Sequence, residues 1–193
     1  MNLFTLTAIG NDRPGIVSAV TGVLLEAGCN LQDSSMTLLR GQFAIMLVVA
    51  AQDGTTVDDL ERKLAGVASM LDLVVSVRSL DNEIGGLGAG AGAGDQGNKD
   101  IDDASEAWVV AVHGADRPGI VHRITQLLAE AGANIVDLST RVIGEPDKAV
   151  YVMVMDVVVP SGANGSILAH KLEEAASKLA IHTSMHPADP DIL

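Results

Sequence analysis

Residues 10–35 read GNDRPGIVSAVTGVLLEAGCNLQDSS, and residues 114–139 read GADRPGIVHRITQLLAEAGANIVDLS. The shared DRPGIV, the EAG after it and the closing Asn-x-x-Asp-x-Ser recur at a constant offset of 104 residues. Two copies make a tandem duplication, because a solenoid stacks three or more such units. Upstream of the first copy, Leu3–Ile9 is a mixed apolar strand ending at Gly10. Pro14 then suits a first helical turn, with Asp12 upstream as a cap, and Ile16, Val20, Val23, Leu24 and Ala27 follow at helical spacing up to a stop at Gly28.

Beyond the repeat, extended runs over Asn30–Arg40 and Phe43–Ala51 meet at Arg40-Gly41-Gln42, a hairpin-sized gap. Thr56-Val-Asp-Asp59 resembles a capping box, and Val57, Leu60, Leu64, Val67 and Leu71 form a helical stripe before a last strand, Leu73–Leu80. The second copy keeps this order: strand 107–113, a helix from Pro118, a strand from Asn134, a strand over 149–159, a helix near 165–179 and a strand over 180–186. Its hairpin, Gly144–Lys148, is longer. Each half is therefore an α+β unit of order βαββαβ, with a four-stranded antiparallel sheet and both helices on one face. The open face needs a cover, and the apolar run Ala149–Val159 points to pairing between repeats or between chains.

Residues 81–106 alternate Gly and Ala without apolar periodicity and read as a flexible tether between domains at 1–80 and 107–187, with a short tail over 188–193. Seven acidic residues and one lysine give the tether −6 of the chain's net charge of −13. An anionic chain with four aromatic residues offers nucleic acid no direct contact surface, and anionic lipid none either. The opening MNLFTLTAIGNDRPG has neither a basic n-region nor a long apolar run, so a cytoplasmic protein is expected. Cys29, the single cysteine, excludes an intrachain disulfide and a cysteine-based zinc cluster, and its alignment with Ala133 makes it a small packed residue. The five histidines are scattered, and Ile16-Val17 stand where a phosphate loop needs Lys-Ser/Thr. No recurring nucleophile, base or carboxylate pair supports catalysis, so neither an enzyme nor a cofactor or metal is expected.

The repeated loop does carry chemistry. A helix N-terminus leaves N–H groups unpaired and attracts a carboxylate, Gly15 and Gly119 let a ligand approach the backbone, and Asp12 and Asp116 suit an ammonium group. Asn30 and Asn134 return to the same end of the sheet with a donor and an acceptor. That set matches an α-amino acid zwitterion; it equally describes a helix start capped by its own aspartate. Arg13 and Arg117 read as solvated side chains.

The two DRPGIV segments resemble the ACT domain, a small ligand-binding regulatory module with a ferredoxin-like fold, and the resemblance covers everything except the tether and tail. Two such units without a catalytic domain resemble the glycine cleavage system transcriptional repressor family. The resemblance implies amino-acid binding between ACT units. One site takes the loop Asn11, Asp12, Pro14, Gly15 and Ile16 of one unit with the strand start Asn30–Leu31 of another; the other copy supplies Asp116, Pro118, Gly119, Ile120, Asn134 and Ile135. It also implies a homodimer or intramolecular ACT pairing, a glycine- or serine-class ligand, and a protein partner, either a transcription regulator or a metabolic enzyme. A structural assembly module without ligand is the other class of function.

Overall fold

Alternating apolar and hydroxyl side chains give the first strand two unlike faces. In β1 (Asn2–Asn11), Phe4, Leu6 and Ala8 are buried while Thr5 and Thr7 are half-buried. A computed structural model describes residues 2–80, 105–144 and 149–188 of the chain. It continues with α1 (Ile16–Glu26), β2 (Asn30–Leu39), β3 (Gln42–Ala51), α2 (Val57–Leu71) and β4 (Leu73–Leu80). The second half repeats the series as β5 (Glu106–Ala115), α3 (Ile120–Glu130), β6 (Asn134–Ile143), β7 (Val150–Val159), α4 (Gly165–Leu179) and β8 (Ile181–Pro187). The tether reading over 81–104, the tail beyond residue 188 and the tip of the second hairpin at 145–148 lie outside the described residues; Glu106, read as the end of the tether, instead opens β5, where it pairs with Val159.

Local signals explain most boundaries. Arg40 and Gly41, both at positive φ (50° and 74°), form the two-residue turn between β2 and β3. Thr56 caps α2 in a reciprocal box with Asp59. Helix α1 ends in a Schellman motif, with the Cys29 amide donating to the Leu24 carbonyl and the Gly28 amide to the Leu25 carbonyl; α3 ends the same way at Ala133 and Gly132.

The start of each first helix differs from the sequence expectation. The helices begin at Ile16 and Ile120, so Pro14 and Pro118 precede them; the N-caps are Gly15 and Gly119, both at φ 93° and neither with a side-chain cap. Asp12 therefore does not cap α1. That left-handed conformation favours glycine, so Gly15→Ala should cost about 1–2 kcal/mol. Gly66, exposed in α2 with open space around its Cα, should gain about 0.5–1 kcal/mol on becoming alanine. Urea unfolding of the two variants checks the opposite signs.

The two antiparallel sheets merge. Strand order is β4-β1-β3-β2-β6-β7-β5-β8, a single sheet of eight strands. The apolar run at 149–159 pairs within its own repeat, with β5 and β6, and the repeats join instead through β2 and β6. Strand β7 is central, burying Tyr151, Met153, Met155, Val157 and Val159 on its helix side. At the seam, Ser35 pairs with Ser139, its own counterpart in the other repeat, so a local two-fold axis runs between them. Around that axis Met36 packs opposite Leu138, and the Ser34 and Thr140 hydroxyls bond at 2.7 Å, all four side chains buried. Helices α1 and α3 pack together across the same axis. The pairing expected either within one chain or between two is made here within one.

Candidate functional site

The seam carries the repeated loops to each other's strand starts. Matching irregularities in β2, between Leu31 and Asp33, and in β6, between Ile135 and Asp137, bend each strand at its beginning. Asn134 then donates from Nδ2 to Asp12 Oδ2 at 2.5 Å, and Asn30 from Nδ2 to Asp116 Oδ2 at 3.0 Å. Each bond crosses between repeats, over 122 and 86 residues of sequence. Two corners result, one on either side of the local axis.

The first corner brings together Asp12, Gly15 and Ile16 with Asn134 and Ile135, joined by Arg13 and by Phe43. The second brings together Gly119 and Ile120 with Asn30 and Leu31, with Asp116 bonded to Asn30 at its edge and Arg117 beside it. Arg117 Nη1 also reaches the Leu179 carbonyl at 3.4 Å. Pro14 and Pro118 line neither crevice. Asn11 is turned away: its Oδ1 accepts from Gln42 Nε2 at 2.7 Å at the exposed end of β1.

Sequence reasoning missed what the facing helix and the neighbouring strand contribute. Thr125 and Ala129 of α3 and Phe43 of β3 line the first corner; Thr21 and Leu25 of α1 and Tyr151 of β7 line the second. The signal was present in α1, whose apolar residues Ile16, Val17, Ala19, Val20, Val23, Leu24 and Leu25 spread over more than one face, and which packs against α3 as well as its own repeat. His122 reaches across to its own counterpart, with Nδ1 3.0 Å from the Ser18 carbonyl, and it lines the second corner.

Electrostatically the corners favour a cation beside each aspartate. Burial pushes the Asp12 carboxyl above its ordinary pKa, against the smaller opposing pull of its bonds from Asn134 and the Arg13 amide. Among the described residues no Lys, Arg or His forms an ion pair with Asp12 or Asp116. The first helical turns, lacking side-chain caps, supply amides with partial positive charge at the same loops. The corners are tight. Bridged by their Asn–Asp bonds, they hold about one or two water molecules each.

Other sequence candidates fall elsewhere. Cys29 is buried, with its thiol pushed up by that burial, which is the environment of an inert packed side chain. His113 and His182 are less scattered than their spacing implies, stacking with ring centroids 5.1 Å apart on the open face. No group of three or more His, Cys, Asp or Glu positioned to hold a metal occurs among the described residues. Among these residues no helix is long and apolar enough to cross a membrane.

Comparison with protein families agrees with this geometry. Residues 2–78 match one ACT-domain model and residues 108–164 match another. The chain belongs to the ACT-domain family. Its two ACT domains are similar to the glycine cleavage system transcriptional repressor of Escherichia coli, at 30% identity over 70% of this chain and 63% of that protein. The chain thus spans just under two thirds of that relative. A UPF0237 protein of Methanopyrus kandleri is 38% identical over 42% of this chain and 91% of its own length, a match the size of one ACT domain. Among solved structures, a protein of unknown role from Galdieria sulphuraria aligns over 97% of this chain and 99% of its own, at 22% identity and a TM-score of 0.44.

Proposed function

We propose that this chain is a non-enzymatic regulatory protein that binds a small free amino acid, of the glycine or serine class, at the two corners between its ACT domains. The observation carrying this reading is the half-buried Asp12 carboxylate, which among the described residues has no cationic partner, is bonded across the repeat seam by Asn134 and lies on the loop that leads into the uncapped N-terminus of α1. An α-ammonium group suits the first feature and an α-carboxylate the second. Similarity to a glycine cleavage system repressor favours the small-ligand class and a cytoplasmic protein partner in transcription or metabolism. Ligand at the corners touches both domains, so it favours one relative placement over another, and a partner that reads this placement senses the ligand.

Thermal unfolding with a panel of amino acids tests this. A ligand at about 100 times its Kd adds about 2.7 kcal/mol of stability, and glycine or serine is expected to give the largest rise in Tm. A flat response across the panel at millimolar concentration defeats the proposal. It would favour the second reading, a structural assembly module, for which the closed Asn–Asp bonds speak: they then act only as braces between the repeats.

A further inference from the structure

Along each strand the buried side chains alternate with a second set that faces away from the core. Of the nine large apolar side chains exposed among the described residues, seven belong to this open face, with Met46 and Val154 near its middle. The eight strands contain no lysine, and their one glutamate, Glu106, stands at the start of β5. Both residue types are depleted where proteins bind one another. Eight strands about 4.8 Å apart, with about seven residues each at about 3.3 Å, make a face of about 900 Å². One partner in a stable complex contributes about 800 Å².

The strand registers order this face into transverse rows. The middle row runs from Ser76 in β4 through Met46, Ser35, Ser139 and Val154 to Ser184 in β8, and it carries no charge. Two residues to one side of Ser139 stands Asp137, directly opposite Asp156 of β7; two residues to the other side stands Arg141. Among the described residues none of these three forms an ion pair, although Asp33 lies on the strand next to Arg141. Partial desolvation, and then the Asp156 charge, hold the Asp137 carboxyl above its ordinary pKa, so a cation is lacking at the acidic side of the row. An acid and a base at equal distances from a neutral row are what an isologous contact requires, because each then meets its opposite in the other copy.

We infer that the open face binds a second copy of this chain, the two sheets stacking about 10 Å apart around a two-fold axis that lies along the middle row. Rotation about that axis lays the middle row of one chain on the same row of the other. It sets Arg141 against the partner's Asp137, beside the partner's Asp156, and the reciprocal contact follows by symmetry. Asp33 falls against the partner's Thr37, so no carboxylate meets a carboxylate and no arginine an arginine. Stacked sheets keep their strands within about 30° of each other, so these central contacts hold their register while the edges diverge. The inference is independent of the amino-acid reading, whose corners are lined largely by helix residues and by rings on the core side of the strands.

Sedimentation equilibrium of the full chain across the micromolar range tests the inference, and a species of twice 19.9 kDa is expected. Arg141→Asp alone and Asp137→Arg alone should each weaken self-association by at least about 100-fold, since each sets like charges together twice across the axis. An equimolar mixture of the two variants should associate again as a heterodimer, because unlike chains place Asp against Arg at both contacts. Mixing does not rescue a chain that fails to fold, so restored association identifies the contact itself. A parent chain that stays monomeric throughout overturns the inference. So does a dimer unmoved by either substitution, or a mixture that remains monomeric. Amino-acid binding is read separately by the thermal panel, so either reading can fail without the other.

Discussion

Asp12→Ala combined with Asp116→Ala is expected to abolish ligand-induced stabilisation, so that a gain of about 2.7 kcal/mol per site at 100 times Kd falls to near zero. The same double variant should unfold almost as late as the parent protein when no ligand is present. Each alanine removes one cross-repeat hydrogen bond, worth about 1 kcal/mol. At Asp12 it also removes a carboxylate whose ionisation burial opposes. Equal losses with and without ligand would show that the aspartates only brace the seam.

The pH dependence supplies an independent check, and its sign follows from the raised Asp12 pKa. A carboxyl raised above its unfolded value of 3.8 contributes stability that is complete below that pH and is lost as pH rises through the folded pKa. Asp12→Asn, which keeps an acceptor for Asn134, lacks this loss. Its stability relative to the parent should therefore grow between about pH 4 and neutrality, as measured by urea unfolding across that range. Ligand should narrow the gap, because an ammonium beside Asp12 reverses the penalty.

Leu128→Ala should produce the largest change in stability, a loss of about 2–5 kcal/mol. Leu128 is fully enclosed in α3, within the core that the first helices of both repeats share. Its counterpart Leu24 is also buried, and Leu24→Ala should cost a similar amount. Denaturant unfolding of each variant should keep a single transition with an unchanged m-value, since the continuous sheet and the α1–α3 contact tie the two repeats into one cooperative unit. Two separated transitions would mean that the seam contributes little.

Within each repeat, the order of elements could be read from spacing alone. The stripe Val57, Leu60, Leu64, Val67 and Leu71 and the capping box at Thr56 mark α2 because both signals are local. The start of α1 was misread for an equally local reason: a proline at the first helical position is common, but here the left-handed Gly15 is the cap and the helix starts two residues later, at Ile16. The Asp12–Asn134 contact is not local. Its partners lie 122 residues apart, and only the register of β2 against β6, with Ser35 facing Ser139, brings them together. The duplication of both residues pointed to paired sites; the exchange of partners between repeats came from the family resemblance, not from the spacing. Tyr151 stayed out of view because a longer hairpin shifts its alignment with Phe43 away from the constant offset.

Carrying both halves of the seam on one polypeptide has a kinetic and a quantitative side. Two separate single-repeat chains would have to find each other before either corner existed, and the fraction assembled would vary with their abundance. Joined covalently, the second half is always at high effective concentration for the first. Dilution leaves the corners intact, so on the reading proposed above the effector level that half-fills them would be a property of the receptacle and would not drift with how many copies of the protein a cell contains.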